Sequence, residues 1–192
     1  MNKKQVKSNI VMGFDMDGVI IDHSEQKIIL AKNAGFNIKI TQTPSELMSN
    51  LIPLTSYREL LNLLYNHPNI GMASPLMPGV KQSLAIIQKM NILIFLISRR
   101  KNGTIAMKLL AKHGLWPKYF NESNTHFVKE VADKETTAKK LGITHYIDDE
   151  QKVLNALISV KNKFLFDALG VFKNSGHVRV ESWKDISKIT CG

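Results

Sequence analysis

A short apolar run that ends in two aspartates constrains this chain more than any other feature of its sequence. The stretch IVMGFDMDGVIID, residues 10–22, places Asp15 and Asp17 directly after a run typical of a buried strand. Two like charges at the end of a buried strand repel each other and are costly to desolvate, whereas a surface loop could carry them freely. The pattern therefore indicates a site that needs both carboxylates on a rigid scaffold.

Strand-length apolar runs alternate with amphipathic helical patterns along most of the chain. The apolar runs lie at residues 10–14, 92–97, 144–147 and 163–166, and the clearest helical patterns lie at residues 78–90, 103–115 and 150–160. Such alternation is typical of a parallel sheet that helices cover on both faces. We therefore predict an α/β fold with a Rossmann-like parallel sheet.

Residues 23–75 have a different character, with helical patterns and little strand signal. Two pairs within them, Thr43–Glu46 and Ser56–Glu59, have the spacing of a helix capping box. We predict two or three short helices that form a small helical cap, inserted after the first strand. The predicted domains are an α/β core of residues 1–22 and 76–192 and a cap of residues 23–75.

Polar residues follow three of the four apolar runs. The first run ends at Asp15, the second at Ser98, and the third at Asp148, Asp149 and Glu150. Ligands of open α/β sheets bind outside the carboxyl ends of the strands, and parallel strands bring those ends to one edge. We therefore expect these side chains to meet at one edge of the sheet.

The clustered carboxylates predict a metal ion. Acids brought close together raise one another's pKa unless a cation offsets their charge. Only oxygen ligands are available, since no cysteine or histidine has metal-ligand spacing, and oxygen ligands favour Mg²⁺. A calcium-binding loop starting at Asp15 is excluded, because its fifth and twelfth positions are Val19 and Gln26 and its glycine, Gly18, comes too early.

These residues together resemble a known family. The motif DMDGV at residues 15–19, a serine closing a buried strand, a lysine and then IDDE at residues 147–150 resemble, in this order, the haloacid dehalogenase-like (HAD) superfamily of hydrolases. The resemblance spans about residues 9–158 and shows no departure from the family's four motifs. Members mostly hydrolyse phosphate monoesters with Mg²⁺ through an aspartyl-phosphate, and the resemblance implies the same activity here.

The resemblance also implies roles for the first two motifs. Asp15 matches the nucleophile that takes the phosphoryl group. Asp17 matches the residue that acts as general acid and then base, with its backbone carbonyl on the metal. Because the dehalogenase branch lacks this second aspartate, Asp17 argues against dehalogenation. Ser98 matches the hydroxyl residue that hydrogen-bonds a phosphate oxygen.

The third motif and the basic residues after Ser98 leave alternatives open. Lys134 matches the lysine that neutralises the phosphoryl group and keeps Asp15 ionised, and Lys129 is its rival. Arg99 and Arg100 directly follow Ser98, and we expect one of them, Arg99 in the first place, to contribute to substrate binding.

The fourth motif completes the implied metal site. Asp149 matches the direct metal ligand, and Asp148 the position that binds through water or orients its neighbour. Glu150 and Asp22 are candidate spectators. A cap placed straight after the first motif resembles the C1 type, and its length of about 50 residues resembles the nucleotidase-like branch.

The predicted function is therefore a Mg²⁺-dependent phosphatase that acts on a small phosphomonoester. One rival is phosphoryl transfer between substrates, as in the family's phosphomutases. Another is a nucleic-acid-binding or end-processing phosphatase, suggested by 26 lysines and arginines against 16 aspartates and glutamates, a formal charge of +10. Nucleic acid is not the expected partner, because the basic residues are dispersed and no aromatic platform interleaves with them.

Composition also predicts the compartment. The single cysteine, Cys191, excludes an intramolecular disulfide, which is typical of a reducing compartment. The apolar run near the N-terminus is too short for a signal peptide, and no stretch approaches the roughly 18 apolar residues of a membrane span. We therefore expect a cytoplasmic protein without a membrane partner, and leave its oligomeric state open.

Overall fold

A computed structural model describes residues 10–190, so Cys191 and the basic segment before residue 10 lie outside the described residues. The strands are β1 Val11–Phe14, β2 Leu93–Ser98, β3 Thr125–Phe127, β4 His145–Asp148, β5 Asn162–Phe166 and β6 Val178–Val180. The α-helices are α1 Ser24–Asn33, α2 Ser45–Leu51, α3 Leu54–Asn66, α4 Val80–Lys89, α5 Gly103–Lys112, α6 Val131–Lys140, α7 Gln151–Ala156 and α8 Trp183–Ile189. Short 3₁₀ turns lie at Ile40–Gln42 and Gly71–Ala73.

The six strands form one parallel sheet in the order β3-β2-β1-β4-β5-β6. The predicted α/β class and parallel sheet are confirmed, and the four predicted strands are present. The two edge strands, β3 and β6, were not predicted. The strand order reverses at β1, which pairs with β2 on one side and β4 on the other. In open α/β sheets, such a reversal creates a crevice at the carboxyl ends of the strands.

Helices cover both faces of the sheet. Successive strand residues point to opposite sides, so each face presents its own set of apolar side chains. On β1, Phe14 belongs to an apolar cluster with residues of α4, α5 and α8. On β4, Tyr146 belongs to a second cluster with residues of α6 and α7. The Tyr146 ring lies so close to β1 that a Cβ on Gly13 would be 2.5 Å from it. Glycine at position 13 therefore lets a large ring pack directly on the central strand.

Three helices, α1, α2 and α3, lie between β1 and α4 and share an apolar cluster of their own. Its buried members include Leu30, Met48, Leu60 and Leu64. The expected two or three short helices in this stretch are therefore present. Within the described residues, no helix combines the length and the apolar character needed to cross a bilayer.

Both predicted capping boxes are wrong. The helix α2 begins after Pro44, and the Thr43 hydroxyl donates instead to the Ile40 carbonyl at 2.8 Å. The helix α3 begins after Pro53, so Ser56 lies inside its first turn. In both cases a proline directly precedes the first helical residue, and its fixed φ angle sets where the helix starts.

Candidate active site

A buried lysine joins two acids at the carboxyl end of the sheet. Asp15 follows β1, Asp148 ends β4, and Lys134 projects from the first turns of α6. The Lys134 Nζ donates to Asp15 Oδ1 at 2.7 Å and to Asp148 Oδ2 at 2.8 Å, and its side chain is 1% exposed. Burial alone would lower the pKa of Lys134, but Asp148 and Asp15 outweigh burial and raise this pKa well above its usual value. Lys129, the rival lysine, is exposed.

Three carboxylates converge beside this lysine. Asp15, Asp148 and Asp149 can each bring one oxygen to within 4.8 Å of the others. Burial raises the pKa of Asp148 to about 7, although Lys134 opposes the shift. Burial, followed by repulsion from Asp148 and Glu150, raises the pKa of Asp149 well above its usual value. The cluster therefore carries more negative charge than Lys134 offsets.

Asp148 and Asp149 differ in their hydrogen bonds. Asp148 uses both oxygens, because Oδ2 accepts from Lys134 and Oδ1 accepts the Glu150 N–H at 3.0 Å. Asp149 accepts no hydrogen bond and forms no ion pair within residues 10–190. A Cβ at Gly18, where φ is +84°, would overlap Asp149 Oδ2. The glycine of the DMDGV motif thus leaves space for the Asp149 carboxylate.

The donor set fits a hard divalent cation. All three acids offer carboxylate oxygens, which are the ligands that Mg²⁺ prefers. The free carboxylate of Asp149 and the second oxygen of Asp15, which accepts no hydrogen bond in the described part of the chain, are the available ligands. Burial and then mutual repulsion raise the pKa values of these acids, and a bound Mg²⁺ would offset their negative charge.

Asp17 lies in a separate network of basic groups. The Arg100 Nε donates to Asp17 Oδ2 at 2.9 Å, and its Nη2 donates to Asp17 Oδ1 at 2.6 Å. The His23 Nε2 lies 2.7 Å from Asp17 Oδ1, and its Nδ1 lies 2.6 Å from the Ser74 hydroxyl. Burial would raise the pKa of Asp17, but Arg100 and His23 outweigh burial and lower it well below its usual value. Asp17 is therefore a carboxylate in this arrangement.

The two arginines after Ser98 have different partners. Ser98 is buried at the end of β2, and its hydroxyl oxygen accepts the Arg100 N–H at 3.3 Å. Arg100 is also buried, and its guanidinium carbon lies 4.9 Å from the centre of the Tyr65 ring of α3. Arg99 is one-third exposed and donates to both Glu150 oxygens, at 3.0 and 3.1 Å.

The loop after Asp15 is anchored from a distant part of the chain. The Trp183 Nε1, at the start of α8, donates to the Val19 carbonyl at 2.7 Å. The same indole ring stacks on Phe14, with ring centres 5.2 Å apart. Asp17 and Gly18 thus sit on a loop that a buried tryptophan fixes to the core.

A cavity of about 240 Å³ opens beside Asp149, between α1 and the core. The residues that line it include Lys27, Thr43, Met77 and Phe172. Sequence reasoning did not identify Lys27. The sequence contains one indication of its position, because Lys27, Leu30 and Ala31 have the spacing of one helix face. In the structure all three are buried.

Sequence reasoning also did not identify His23, Ser74 or Tyr65 as neighbours of the site. Their positions depend on how the three helices pack against the core, and no local pattern carries that information. Arg100 was named only as an alternative to Arg99, since two adjacent arginines look alike in a sequence.

Neither a protein-family model nor a curated protein sequence matches this chain. Solved structures do share its fold. A HAD-superfamily hydrolase from Ehrlichia chaffeensis has a TM-score of 0.58 at 16% identity, covering 94% of this chain and 95% of its own. A structure named a predicted phosphatase from Clostridium acetobutylicum has a TM-score of 0.63 at 14% identity, covering 95% of this chain and 98% of its own.

A β-phosphoglucomutase from Clostridium difficile also shares the fold, with a TM-score of 0.54 at 15% identity and 92% of each chain covered. Sequence identities this low leave the activity of the present chain open. The structural similarity nevertheless establishes the architecture, which is the α/β fold seen in HAD-superfamily hydrolases.

Proposed function

We propose that this protein is a Mg²⁺-dependent phosphatase of the HAD superfamily that hydrolyses a small phosphomonoester. The observation that carries the proposal is the contact of buried Lys134 with both Asp15 and Asp148, at 2.7 and 2.8 Å, beside the free carboxylate of Asp149. A nucleophilic carboxylate that attacks a phosphate dianion needs such positive charge nearby.

In the proposed reaction, Asp15 is the nucleophile. The Asp15 oxygen that does not bind the cation attacks phosphorus, the bond to the leaving oxygen breaks, and an aspartyl-phosphate forms. Lys134 and the Ser98 hydroxyl bind the phosphoryl oxygens, and Arg99 at the rim contributes to substrate binding. Asp15, Asp149 and the Asp17 backbone carbonyl would hold Mg²⁺, which would offset negative charge on the phosphoryl group. Asp148 supports the site by holding Lys134.

We assign proton transfer to Asp17. In the second step a water molecule attacks the phosphoenzyme, and an ionised Asp17 can accept the water's proton as it stands. In the first step the leaving oxygen needs a proton, so Asp17 must first be protonated. Arg100 and His23 both favour its ionised form, and substrate binding must therefore weaken those contacts before Asp17 acts as an acid.

We further propose that residues 23–75 act as a small cap over a core of residues 1–22 and 76–192. Tyr65 of α3 covers Arg100, and Glu46 of α2 accepts hydrogen bonds from the start of α7. The cavity of about 240 Å³ lies below the range of about 300–1,000 Å³ that drug-sized ligands occupy, which favours a small leaving group.

The test is a phosphate-release screen over sugar phosphates, nucleotides and end-phosphorylated oligonucleotides, with and without Mg²⁺. We expect Mg²⁺-dependent release from a small ester, and a loss of about 10³-fold or more in Asp15→Asn, which removes the attacking charge at constant size. Glu122→Gln, which makes the same carboxylate-to-amide change at an exposed position, is the control and should retain full activity. Appreciable turnover by pure, undeamidated Asp15→Asn would exclude Asp15 as the nucleophile.

Phosphoryl transfer to a second substrate hydroxyl is the other candidate, favoured by the β-phosphoglucomutase among the structures that share this fold. It uses the same aspartyl-phosphate, with an alcohol in place of water in the second step. Product analysis distinguishes the two, because a phosphatase releases inorganic phosphate and a phosphotransferase yields a new phosphate ester.

A further inference from the structure

A buried lysine in α1, Lys27, lines the cavity beside Asp149 and has no acidic partner. Only 6% of this residue is exposed. The Nζ donates to the Thr43 carbonyl at 2.9 Å and to the Ser45 hydroxyl at 3.3 Å, both neutral acceptors. An ammonium group has three N–H donors. One donor of Lys27 therefore has no acceptor within residues 10–190.

The acidic residues that line the same cavity have other partners. Asp167 accepts from the Arg179 Nε at 2.9 Å and from two backbone N–H groups. Asp22 accepts the Ser24 N–H at 2.9 Å. Asp149 belongs to the proposed cation site. Lys27 is thus the one lysine or arginine lining the cavity in the described chain, and its charge is not matched by direct contact with an acid.

The charge of Lys27 is costly in this position. Burial lowers its pKa, and Asp149 is the acid that opposes this effect most. Once a divalent cation is bound at Asp149, that carboxylate is neutralised and no longer offsets Lys27. The cavity then has positive charge at two places, the cation and the Lys27 ammonium, with apolar side chains such as Met77, Phe166 and Phe172 among its walls. Such a cavity favours a ligand with two anionic ends.

We propose that Lys27 binds a second anionic group of the substrate. The substrate class is then small phosphomonoesters whose leaving group ends in a carboxylate or a second phosphate. This inference rests on the proposed phosphatase function and specifies its substrate. The cavity of about 240 Å³ accommodates a leaving group of a few carbon atoms between the two charged ends.

The test compares four esters built on the same three-carbon chain. Propyl phosphate and 3-hydroxypropyl phosphate have uncharged leaving groups, whereas 3-phosphonooxypropanoate ends in a carboxylate and propane-1,3-diol bisphosphate in a phosphate. We expect wild-type kcat/KM to be at least about tenfold higher for one or both of the charged esters, since hydrogen bonds to charged groups are among the strongest in proteins. The preferred member of the pair distinguishes a carboxylate from a phosphate.

The substitution Lys27→Met keeps the apolar stem and removes the charge. We expect it to lower kcat/KM for the preferred charged ester by about 10- to 100-fold, mainly through KM, and to leave the two uncharged esters within about twofold. Lys27→Arg should keep part of the preference. Lys32→Met is the matched control, because Lys32 lies on the same helix but is exposed, and it should behave as wild type.

Several results would overturn the inference. One is a wild-type preference below about tenfold, which needs no variant and therefore decides the matter even if Lys27→Met does not fold. Another is an equal loss of kcat/KM on all four esters in Lys27→Met. A third is a changed Mg²⁺ requirement in Lys27→Met with no change in ester preference. Either result would mean that Lys27 acts on Asp149 and not on the substrate. If wild type hydrolyses none of the four esters, the phosphatase proposal fails only if the phosphate-release screen also finds no substrate. Calorimetric binding of propane-1,3-diol bisphosphate with Mg²⁺ then decides the role of Lys27, and equal or undetectable binding by wild type and Lys27→Met overturns it.

Discussion

Asp148 and Asp149 are adjacent in the chain but have opposite surroundings. Asp148 accepts hydrogen bonds from Lys134 and from the Glu150 N–H, whereas Asp149 accepts none from the described residues. Burial, and then repulsion from the neighbouring acids, raises the pKa of Asp149, and no hydrogen-bond donor opposes these effects. The same lack of donors leaves its oxygens free for a cation. Function and stability therefore conflict at Asp149 and agree at Asp148.

This contrast predicts opposite effects on stability. At pH 7.5 and without Mg²⁺, we expect Asp149→Asn to raise the free energy of unfolding by about 1 kcal/mol, because it removes an unpaired charge. Asp148→Asn should lower it by about 3 kcal/mol, because it breaks the buried contact with Lys134. Denaturant unfolding of the metal-free proteins measures both changes.

Addition of Mg²⁺ provides the control. A ligand that binds only the folded state stabilises it, so Mg²⁺ should raise the melting temperature of wild type and fail to do so in Asp149→Asn. If Mg²⁺ stabilises Asp149→Asn as much as wild type and fails with Asp148→Asn, the two acids have the reverse roles.

Single residues at the strand ends were predictable because the fold places them by rule. Lys134 was preferred over Lys129 because it best matches the third motif of the HAD superfamily, at the start of the helix before β4, and it is the lysine that contacts Asp15. The partners of Asp17 were not predictable. His23 and Arg100 reach it through loop conformations, and loop conformations leave no periodic pattern in a sequence.

Among the secondary structure elements, length decided which were predictable. The four central strands coincide with the apolar runs of the sequence, and an alternation of such runs with helical patterns indicates a parallel sheet. The edge strands β3 and β6 have three residues each, so their patterns are too short to recognise. The backbone hydrogen bonds of β3 to β2 and of β6 to β5 define them, and those bonds exist only after the sheet has formed.

A side chain of the helix α2, Glu46, contacts the core. The Glu46 Oε1 accepts the Lys152 N–H at 3.0 Å, and its Oε2 accepts from the Gln151 side chain at 3.1 Å. The N–H groups in the first turn of a helix have no partner within the helix. Glu46 therefore satisfies an N–H group at the start of α7. This contact links the proposed cap of residues 23–75 to the core.

We expect Glu46→Ala to lower the free energy of unfolding by about 1 kcal/mol, the usual effect of losing a helix cap. Because the contact joins the proposed cap to the core, amide hydrogen exchange at residues 151–153 should also become faster. Glu59→Ala, which removes an exposed glutamate from α3, is the control and should change neither quantity. Unchanged exchange in Glu46→Ala would mean that the contact does not hold the two parts together.

For the whole molecule, the formal charge of +10 raises the question of a polyanionic partner. Binding that neutralises several phosphates releases counterions, and affinity then falls steeply with salt. A small monoester brings only about two charges to a cavity that α1 partly encloses, so its binding should depend weakly on salt.

We therefore expect kcat/KM for the best small ester to change less than about tenfold between about 50 and 200 mM monovalent salt, against a loss of about 10³–10⁵ for multi-phosphate contacts. An end-phosphorylated oligonucleotide serves as the comparison substrate in the same assay. Higher activity on the oligonucleotide, together with a collapse of that activity as salt rises, would identify the basic surface as the binding site and contradict the small-substrate proposal.

The hydrogen bond from Trp183 to the Val19 carbonyl has a consequence for the order of synthesis. It joins residues 164 positions apart, so the loop that carries Asp17 leaves the ribosome long before its anchor does. Until α8 has been translated and has docked, the indole can neither stack on Phe14 nor hold that loop. Nascent chains that stop short of Trp183 therefore lack this support for the Asp17 loop, even when every proposed catalytic residue has already been made.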